Sequence, residues 1–121
     1  MSQVVQISVP NSLILVLDPD TGELPDSLGG GSVVASPTGI AIGTLSEFDG
    51  ETAVHLASAL ELPSERDLAL RWNGALSTSG RIGVLNVYNE VLMEATASQQ
   101  TEVAIWTNDP VEPDEIWVLL S

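Results

Sequence analysis

The chain has 121 residues and a formal net charge of −14, because 17 acidic side chains are opposed by three arginines and no lysine. This balance disfavours nucleic acids and anionic membrane surfaces as partners, since both would repel the chain. It favours a basic protein partner, although acidity that serves only solubility would give the same composition. Hydrophobic residues make up 44% of the chain, which is enough for one folded domain spanning residues 1–121.

Cysteine is absent, which excludes disulfides, thiolate nucleophiles and cysteine-based zinc sites. A chain without cysteine suits a reducing compartment, and we predict a cytoplasmic protein. The first ten residues contain no basic segment and no long apolar stretch, so they do not predict a signal peptide. The longest apolar runs, such as residues 13–17, have five residues and are too short to cross a membrane.

The first half of the chain has the pattern of short strands separated by loops. The predicted strands are residues 4–9, 13–17, 32–35 and 40–43. The second of these is apolar throughout, so we expect it to be buried on both faces. An acidic, turn-rich loop follows it at residues 18–26, and a glycine-rich stretch comes next.

Residues 52–60 are ambiguous between a strand and a helix. A strand would place Thr52, Val54, Leu56 and Ser58 on one side. A helix would place Ala53, Leu56, Ala57 and Leu60 on one face. Nine residues are short for a helix, so we predict a strand.

In the second half, the alternation of residues 66–72 predicts another strand. Its inward side chains would be Leu68, Leu70 and Trp72. The pair Asn73-Gly74 is typical of a tight hairpin turn. Further strands are predicted at residues 81–87, 90–96, 103–106 and 116–120. Runs of this length, separated by turn signals every ~8–12 residues, predict an all-β fold, an antiparallel β-sandwich of about eight strands.

The last two runs form a hairpin-like pair whose connection is acidic and contains two prolines. Its four acids fall within seven residues and are Asp109, Glu112, Asp114 and Glu115. Prolines reduce the conformational freedom lost on binding, and carboxylates held in place suit arginine and lysine of a partner. Trp106 and Trp117 flank the connection and would be binding anchors if exposed. Alternatively, both tryptophans belong to the core and the loop only faces water.

Other candidate sites are less specific. His55 is the only histidine, and because no G-x-S-x-G motif nominates a serine, an enzyme centred on it is disfavoured. A weak metal site is conceivable at Asp18, Asp20 and Glu23, so a calcium-assisted binding module stays an alternative, although the spacing does not match an EF-hand. The glycines before Ser32 are not followed by lysine, so they do not predict a phosphate loop. We therefore predict no catalytic residue and no cofactor.

Residues 81–120 contain, in order, two strands, a polar turn at residues 97–100, the run TEVAIW at 101–106, an acidic loop and the run DEIWVLL at 114–120. This order resembles the small β-sandwich proteins of the competence protein J type, which are antagonists of a nuclease. The resemblance implies a non-enzymatic fold that covers the active site of a basic protein. The chain would then be an inhibitor or immunity protein of a nuclease or toxin. Copies of a sandwich can also pair through exposed edge strands, which predicts a homo-oligomer as a further option.

Overall fold

The chain folds into two five-stranded β-sheets, in a computed structural model that describes residues 2–24, 33–63 and 67–121. The strands of these residues are β1 (Gln3–Ile7), β2 (Leu13–Leu17), β3 (Val33–Ser36), β4 (Gly39–Gly43), β5 (Thr52–Ser58), β6 (Ala69–Ser77), β7 (Arg81–Leu85), β8 (Val91–Thr96), β9 (Gln100–Thr107) and β10 (Glu115–Leu120). Short 3-10 turns lie at Pro10–Ser12 and Ala59–Glu61.

The first sheet has the order β1-β5-β10-β9-β6, and the second has the order β3-β4-β2-β7-β8. Neighbouring strands are antiparallel except for β5 and β10, which are parallel. The predicted all-β sandwich is confirmed, with ten strands in the described residues where the sequence suggested about eight. Within this part of the chain, no helix has the length and apolar character needed to cross a membrane.

The core lies between the two sheets and is mainly aliphatic. Alternate residues of the inner strands supply it, because successive side chains of a strand point to opposite faces. The first sheet contributes Val54, Leu56, Val103, Ile105, Ile116 and Val118, and the second contributes Ile14, Val16, Ile40, Ile42, Ile82 and Val84. The strand predicted at residues 52–60 is confirmed over Thr52–Ser58, with Val54 and Leu56 on its core side as expected, and a 3-10 turn follows at Ala59–Glu61.

The outer face of each sheet also carries a small apolar cluster. On the first sheet this cluster contains Ala57, Trp117 and Leu119. On the second sheet it contains Leu15, Leu17, Ala41 and Leu85. Strand β2 therefore contributes to both sides of its sheet, as its continuous apolar run predicts.

Hydrogen bonds join the sheets along both open sides of the sandwich. On one side, the Gln3 side chain of β1 donates to the carbonyl oxygen of Glu94 in β8 at 2.8 Å. On the other side, the N–H of Ser77 at the end of β6 donates to the carbonyl oxygen of Pro37 at 2.9 Å. These bonds occupy part of the sheet edges, and pairing of copies through edge strands stays a prediction.

Two predictions for β6 are wrong, and the first is that Leu68 and Leu70 point inward together with Trp72. The register with β9 shifts between Leu70 and Trp72, which marks a β-bulge at Arg71. A bulge adds one residue to a strand and reverses the alternation that follows it. Trp72 therefore packs on the core, whereas Leu68 packs on the outer cluster and Leu70 is 45% exposed.

The second wrong prediction is the hairpin turn at Asn73-Gly74. These residues pair with Ala104 and Val103 inside the β6–β9 ladder. The glycine makes room for the Trp72 ring, which would lie 3.0 Å from a Cβ at this position. The chain instead turns after β6 near Gly80, whose φ of +125° favours glycine.

Candidate interaction site

The candidate site is the connection between β9 and β10, residues 108–114, which we call the acidic loop. Asn108 closes the base of this loop. Its side-chain oxygen accepts hydrogen bonds from the N–H groups of Asp114 and Glu115, each at 3.2 Å, and its amide group donates to the Asp114 carboxylate. The loop is thus held at its two ends by one side chain that the sequence analysis did not single out.

Asp109 organises the tip of the acidic loop. One oxygen of its carboxylate accepts hydrogen bonds from the N–H groups of Val111 at 2.8 Å and Glu112 at 2.9 Å. These backbone hydrogen bonds, from Glu112 and then Val111, hold the pKa of Asp109 below its usual range, with a further contribution from the charge of Arg71. The stiffness predicted from the two prolines therefore has a second cause, an aspartate that binds its own loop.

The acidic loop is attached to the connection between β4 and β5, residues 44–51, which we call the second loop. The N–H of Leu45 donates to the carbonyl oxygen of Pro113 at 2.9 Å, and Pro113 is buried. The N–H of Ala53 donates to the carbonyl oxygen of Asp114 at 2.8 Å. Both loops therefore leave the same end of the sandwich.

The electrostatic character of this end is negative. The second loop contributes Glu47, Asp49 and Glu51, and the acidic loop contributes Asp109, Glu112 and Asp114. Neither residues 44–63 nor residues 101–121 contain an arginine or lysine. Arg71 is a cation at the base of the acidic loop, where its Nε donates to the Thr107 hydroxyl at 2.9 Å. Carboxylates with few nearby cations create a field that attracts basic surfaces.

The tryptophans at the base of the acidic loop lie on the outer face of the first sheet. Trp106 and Trp117 are directly opposite each other in the β9–β10 ladder. Trp117 is only 7% exposed, and Trp106 is half-buried. The Trp117 ring stacks flat on His55, with ring centroids 3.8 Å apart. Trp117 is therefore a packing residue in the unbound chain and not an exposed anchor.

Glu115 also lies on this face and not at the tip of the loop. Its carboxylate accepts a hydrogen bond from the Trp117 indole N–H at 2.9 Å. The same oxygen lies 4.0 Å from His55 Nε2, and both side chains are 16% exposed. As the strand interpretation predicts, His55 is on the opposite side of β5 from Val54 and Leu56. Within the described residues, the six predicted partner-binding residues thus divide into three loop carboxylates and three supporting side chains.

The other acidic stretch, residues 18–24, we call the Asp18 loop. Asp18 is fully buried, and one carboxylate oxygen accepts hydrogen bonds from the N–H and hydroxyl of Ser79, both at 2.6 Å. The other oxygen accepts a hydrogen bond from the N–H of Asp20 at 2.8 Å. Burial raises the pKa of Asp18, but the hydrogen bonds from Ser79, Asp20 and Thr21 outweigh it, and the net pKa lies well below the usual range.

The second carboxylate of the Asp18 loop, that of Asp20, is bound by the cation Arg81. Arg81 binds both oxygens of Asp20 at 3.0 Å and also binds Glu94 at 2.8 Å. In the parts of the chain that the structure describes, no three histidine or acidic side chains are grouped so that they could hold a metal ion. The weak metal site expected at Asp18, Asp20 and Glu23 therefore gains no support. Residues 25–32, which include the glycine-rich stretch, lie outside the described residues.

Two apolar side chains at the tips of the loops were missed by the sequence analysis. Phe48 of the second loop is 90% exposed, and Val111 of the acidic loop is 70% exposed. The signal was present in the sequence, because the only phenylalanine of the chain lies between Glu47 and Asp49 in a segment with no strand pattern. Both side chains lie in the same two loops as the carboxylates.

Comparisons with known proteins identify a similar fold. No protein family model matches the chain, and the comparison with curated proteins found no match. Among solved structures, the chain is similar to ComJ from Bacillus subtilis, an inhibitor of the DNA degrading activity of NucA. The chain has a ComJ-like fold. The TM-score is 0.59, the alignment covers 99% of this chain and 96% of ComJ, and the sequence identity is 10%.

This likeness confirms the resemblance to the competence protein J type at the level of the fold. The resemblance was based on residues 81–120, and the structural match extends it to nearly the whole chain.

Proposed function

We propose that this chain is a non-catalytic acidic inhibitor or immunity protein that binds a basic nuclease or toxin in the cytoplasm. The observation that carries the proposal is the ComJ-like fold, which covers 99% of the chain and belongs in ComJ to a nuclease inhibitor. The net charge of −14 gives that fold a surface suited to a basic partner.

The physical basis is charge complementarity. A nuclease must attract phosphates, so the surface around its active site is positively charged and attracts carboxylates as well. Carboxylates form bidentate pairs with arginine and point-charge contacts with lysine. Asn108 and Asp109 hold the acidic loop before any partner arrives, so the loop loses little conformational freedom on binding.

The predicted binding residues have different roles in this proposal. Glu112 and Asp114 are exposed and supply charge to the partner directly. Asp109 supplies charge and also fixes the loop backbone. The remaining three, Trp106, Glu115 and Trp117, support the loop from the outer face of the first sheet.

Inhibition of purified nucleases tests the proposal. NucA and a panel of other basic nucleases and toxins would be titrated with the chain, and DNA degradation or toxin activity measured at low and high salt. We expect inhibition of at least one of them, weakened about tenfold or more at high salt, because salt screens exposed charges. A pull-down from the native cell at both salt concentrations would supply further basic proteins for the panel.

A matched pair of variants separates loop charge from total charge. The double variant Glu112→Gln with Asp114→Asn removes two charges from the acidic loop. The control, Glu23→Gln with Glu102→Gln, removes two exposed charges from elsewhere on the sandwich. We expect only the first pair to weaken inhibition strongly. Equal effects of both pairs would reject the acidic loop as the contact, and the absence of any salt-dependent inhibition would reject the proposed function.

A further inference from the structure

Phe48 is exposed in a way that a soluble sandwich does not require. Its side chain is 90% exposed, although phenylalanine is among the residues most often buried. A phenylalanine that moves from water into an apolar pocket contributes more to binding than a small polar side chain can, and aromatic anchors dominate many protein interfaces. An exposed phenylalanine is therefore informative where its surroundings also suit a partner.

The second loop presents Phe48 in a formed turn. The Ser46 hydroxyl accepts a hydrogen bond from the N–H of Phe48 at 3.2 Å, and the Ser46 carbonyl oxygen accepts one from the N–H of Asp49 at 2.9 Å. Gly50 then has a φ of +146°, which reverses the chain towards β5. Because this turn already exists, binding through Phe48 requires little additional ordering of the backbone.

The turn that carries Phe48 is joined to the loop that carries Val111. Leu45, near the start of the second loop, and Ala53, just after its end, donate to the carbonyl oxygens of Pro113 and Asp114. Val111, two residues before Pro113, is 70% exposed. The two exposed apolar side chains therefore share one end of the sandwich, and each is bordered by acids of its own loop.

We propose that Phe48, assisted by Val111, is the apolar anchor with which this end of the sandwich docks on a basic protein surface, where Phe48 enters an apolar pocket bordered by arginine or lysine. The inference rests on the proposed function and deepens it, because it names the anchor. It also replaces the tryptophans in that role, since Trp117 is only 7% exposed and packs on the outer face of the first sheet.

The negative charge around Phe48 favours a basic protein over a second copy of the chain and over an anionic membrane. A second copy of the chain docked through the same end would bring the carboxylates of both loops against like charges, which is unfavourable. An anionic membrane would be repelled by Glu47, Asp49 and Glu112 for the same reason. A basic protein surface with an apolar pocket can contact both the apolar side chains of Phe48 and Val111 and the acids around them.

The test uses a phage-displayed random-peptide library, with the purified full-length chain as bait at low and high salt. We expect low-salt selection to enrich peptides that combine arginine or lysine with an aromatic or aliphatic residue. A synthetic peptide of the enriched sequence is then titrated by calorimetry. Phe48→Ala should weaken its binding at least about tenfold, because an anchor side chain is lost.

Leu60→Ala is the matched control. Leu60 is 97% exposed but follows the opposite end of β5 from the second loop. Both variants remove an exposed side chain, so both should melt at the temperature of the unmodified chain. Binding that is unchanged by Phe48→Ala, or weakened equally by Leu60→Ala, would overturn the inference.

Three further results would also overturn it: no enrichment of basic and apolar peptides, self-association that depends on Phe48, or Phe48-dependent binding to vesicles of phosphatidylcholine with phosphatidylserine. The inference and the proposed function can fail separately. Nuclease inhibition that survives Phe48→Ala would reject only the anchor, whereas Phe48-dependent peptide binding without inhibition of any nuclease or toxin would reject only the proposed function.

Discussion

The Asp18 loop and the acidic loop have similar compositions, but their acids serve different purposes. In the Asp18 loop, the carboxylate of Asp18 is buried and bound by Ser79, and the carboxylate of Asp20 is bound by Arg81. In the acidic loop, Asp109 binds backbone N–H groups at the tip, and Glu112 remains exposed to solvent. The first loop thus joins distant segments of the chain, whereas the second presents charge.

The difference follows from where donors and cations lie in three dimensions. Ser79 and Arg81 are both 61 residues from their acidic partners in the sequence, yet the fold brings them next to the Asp18 loop. The acidic loop has Arg71 at its base, but no arginine or lysine within its own strands. A cluster of acids is therefore a candidate binding site only where the protein's own donors and cations do not already bind its carboxylates.

The largest expected effect on stability is that of Asp18→Ala. This change removes the buried carboxylate that accepts hydrogen bonds from the N–H and hydroxyl of Ser79 and from the N–H of Asp20. We expect the free energy of unfolding to fall by about 3 kcal/mol, since hydrogen bonds to a buried charged group are among the stronger ones. Urea denaturation measures it, with Glu112→Ala as a control that should change it by less than about 0.5 kcal/mol. Similar losses in the two variants would remove the distinction between the loops.

The pH dependence of stability gives a second test of Asp18. Its pKa in the folded chain lies below the ordinary value of 3.8. The stabilisation is complete above 3.8 and is lost as the pH falls below this value, because the unfolded chain then takes up a proton that the folded chain does not. Urea midpoints measured between neutral and acidic pH should therefore fall less in Asp18→Asn than in the unmodified chain. Parallel profiles would contradict the hydrogen-bonded carboxylate, and the comparison cancels the contribution of other acids such as Asp109.

The sequence predicted those parts of the fold that depend on local pattern. The pairing of β9 with β10 and the strand at β5 follow from apolar alternation and from the prolines between the last two runs. The bulge at Arg71 was not predictable, because it shifts the register of β6 against β9 without a local sequence signal. The turn predicted at Asn73-Gly74 was wrong because this glycine lies inside a strand, where it makes room for the Trp72 ring.

The candidate site was predicted only in part. The charge of the acidic loop was evident from its sequence, but the burial of Trp117 depends on its packing against β5 and His55. The exposure of Phe48 runs against the usual burial of phenylalanine, so composition alone would place it in the core. The role of Asp18 required a partner that only the fold brings near.

A smaller change is expected from Arg81→Gln. This variant removes the ion pairs with Asp20 and Glu94, which lie at the surface and are screened by water. The hydrogen bonds between Asp18 and Ser79 are left in place, so the urea midpoint should fall much less than in Asp18→Ala. The decrease should shrink further at high salt. A loss as large as that of Asp18→Ala would show that Arg81 holds this loop to the rest of the sandwich as strongly as Asp18 does.

The smallest effect on stability is expected from Glu112→Gln, and this is the change that most directly separates the two loops. Glu112 is exposed, and its backbone N–H continues to bind Asp109 in the variant. The melting temperature should therefore stay unchanged, while inhibition of the nuclease or toxin identified in the panel weakens at low salt and converges with that of the unmodified chain at high salt. Glu102→Gln removes one charge from the far end of β9 and should leave both properties unchanged. A fall in stability without a change in inhibition would place Glu112 with the structural acids of the Asp18 loop, because a side chain that only presents charge affects the encounter and not the fold.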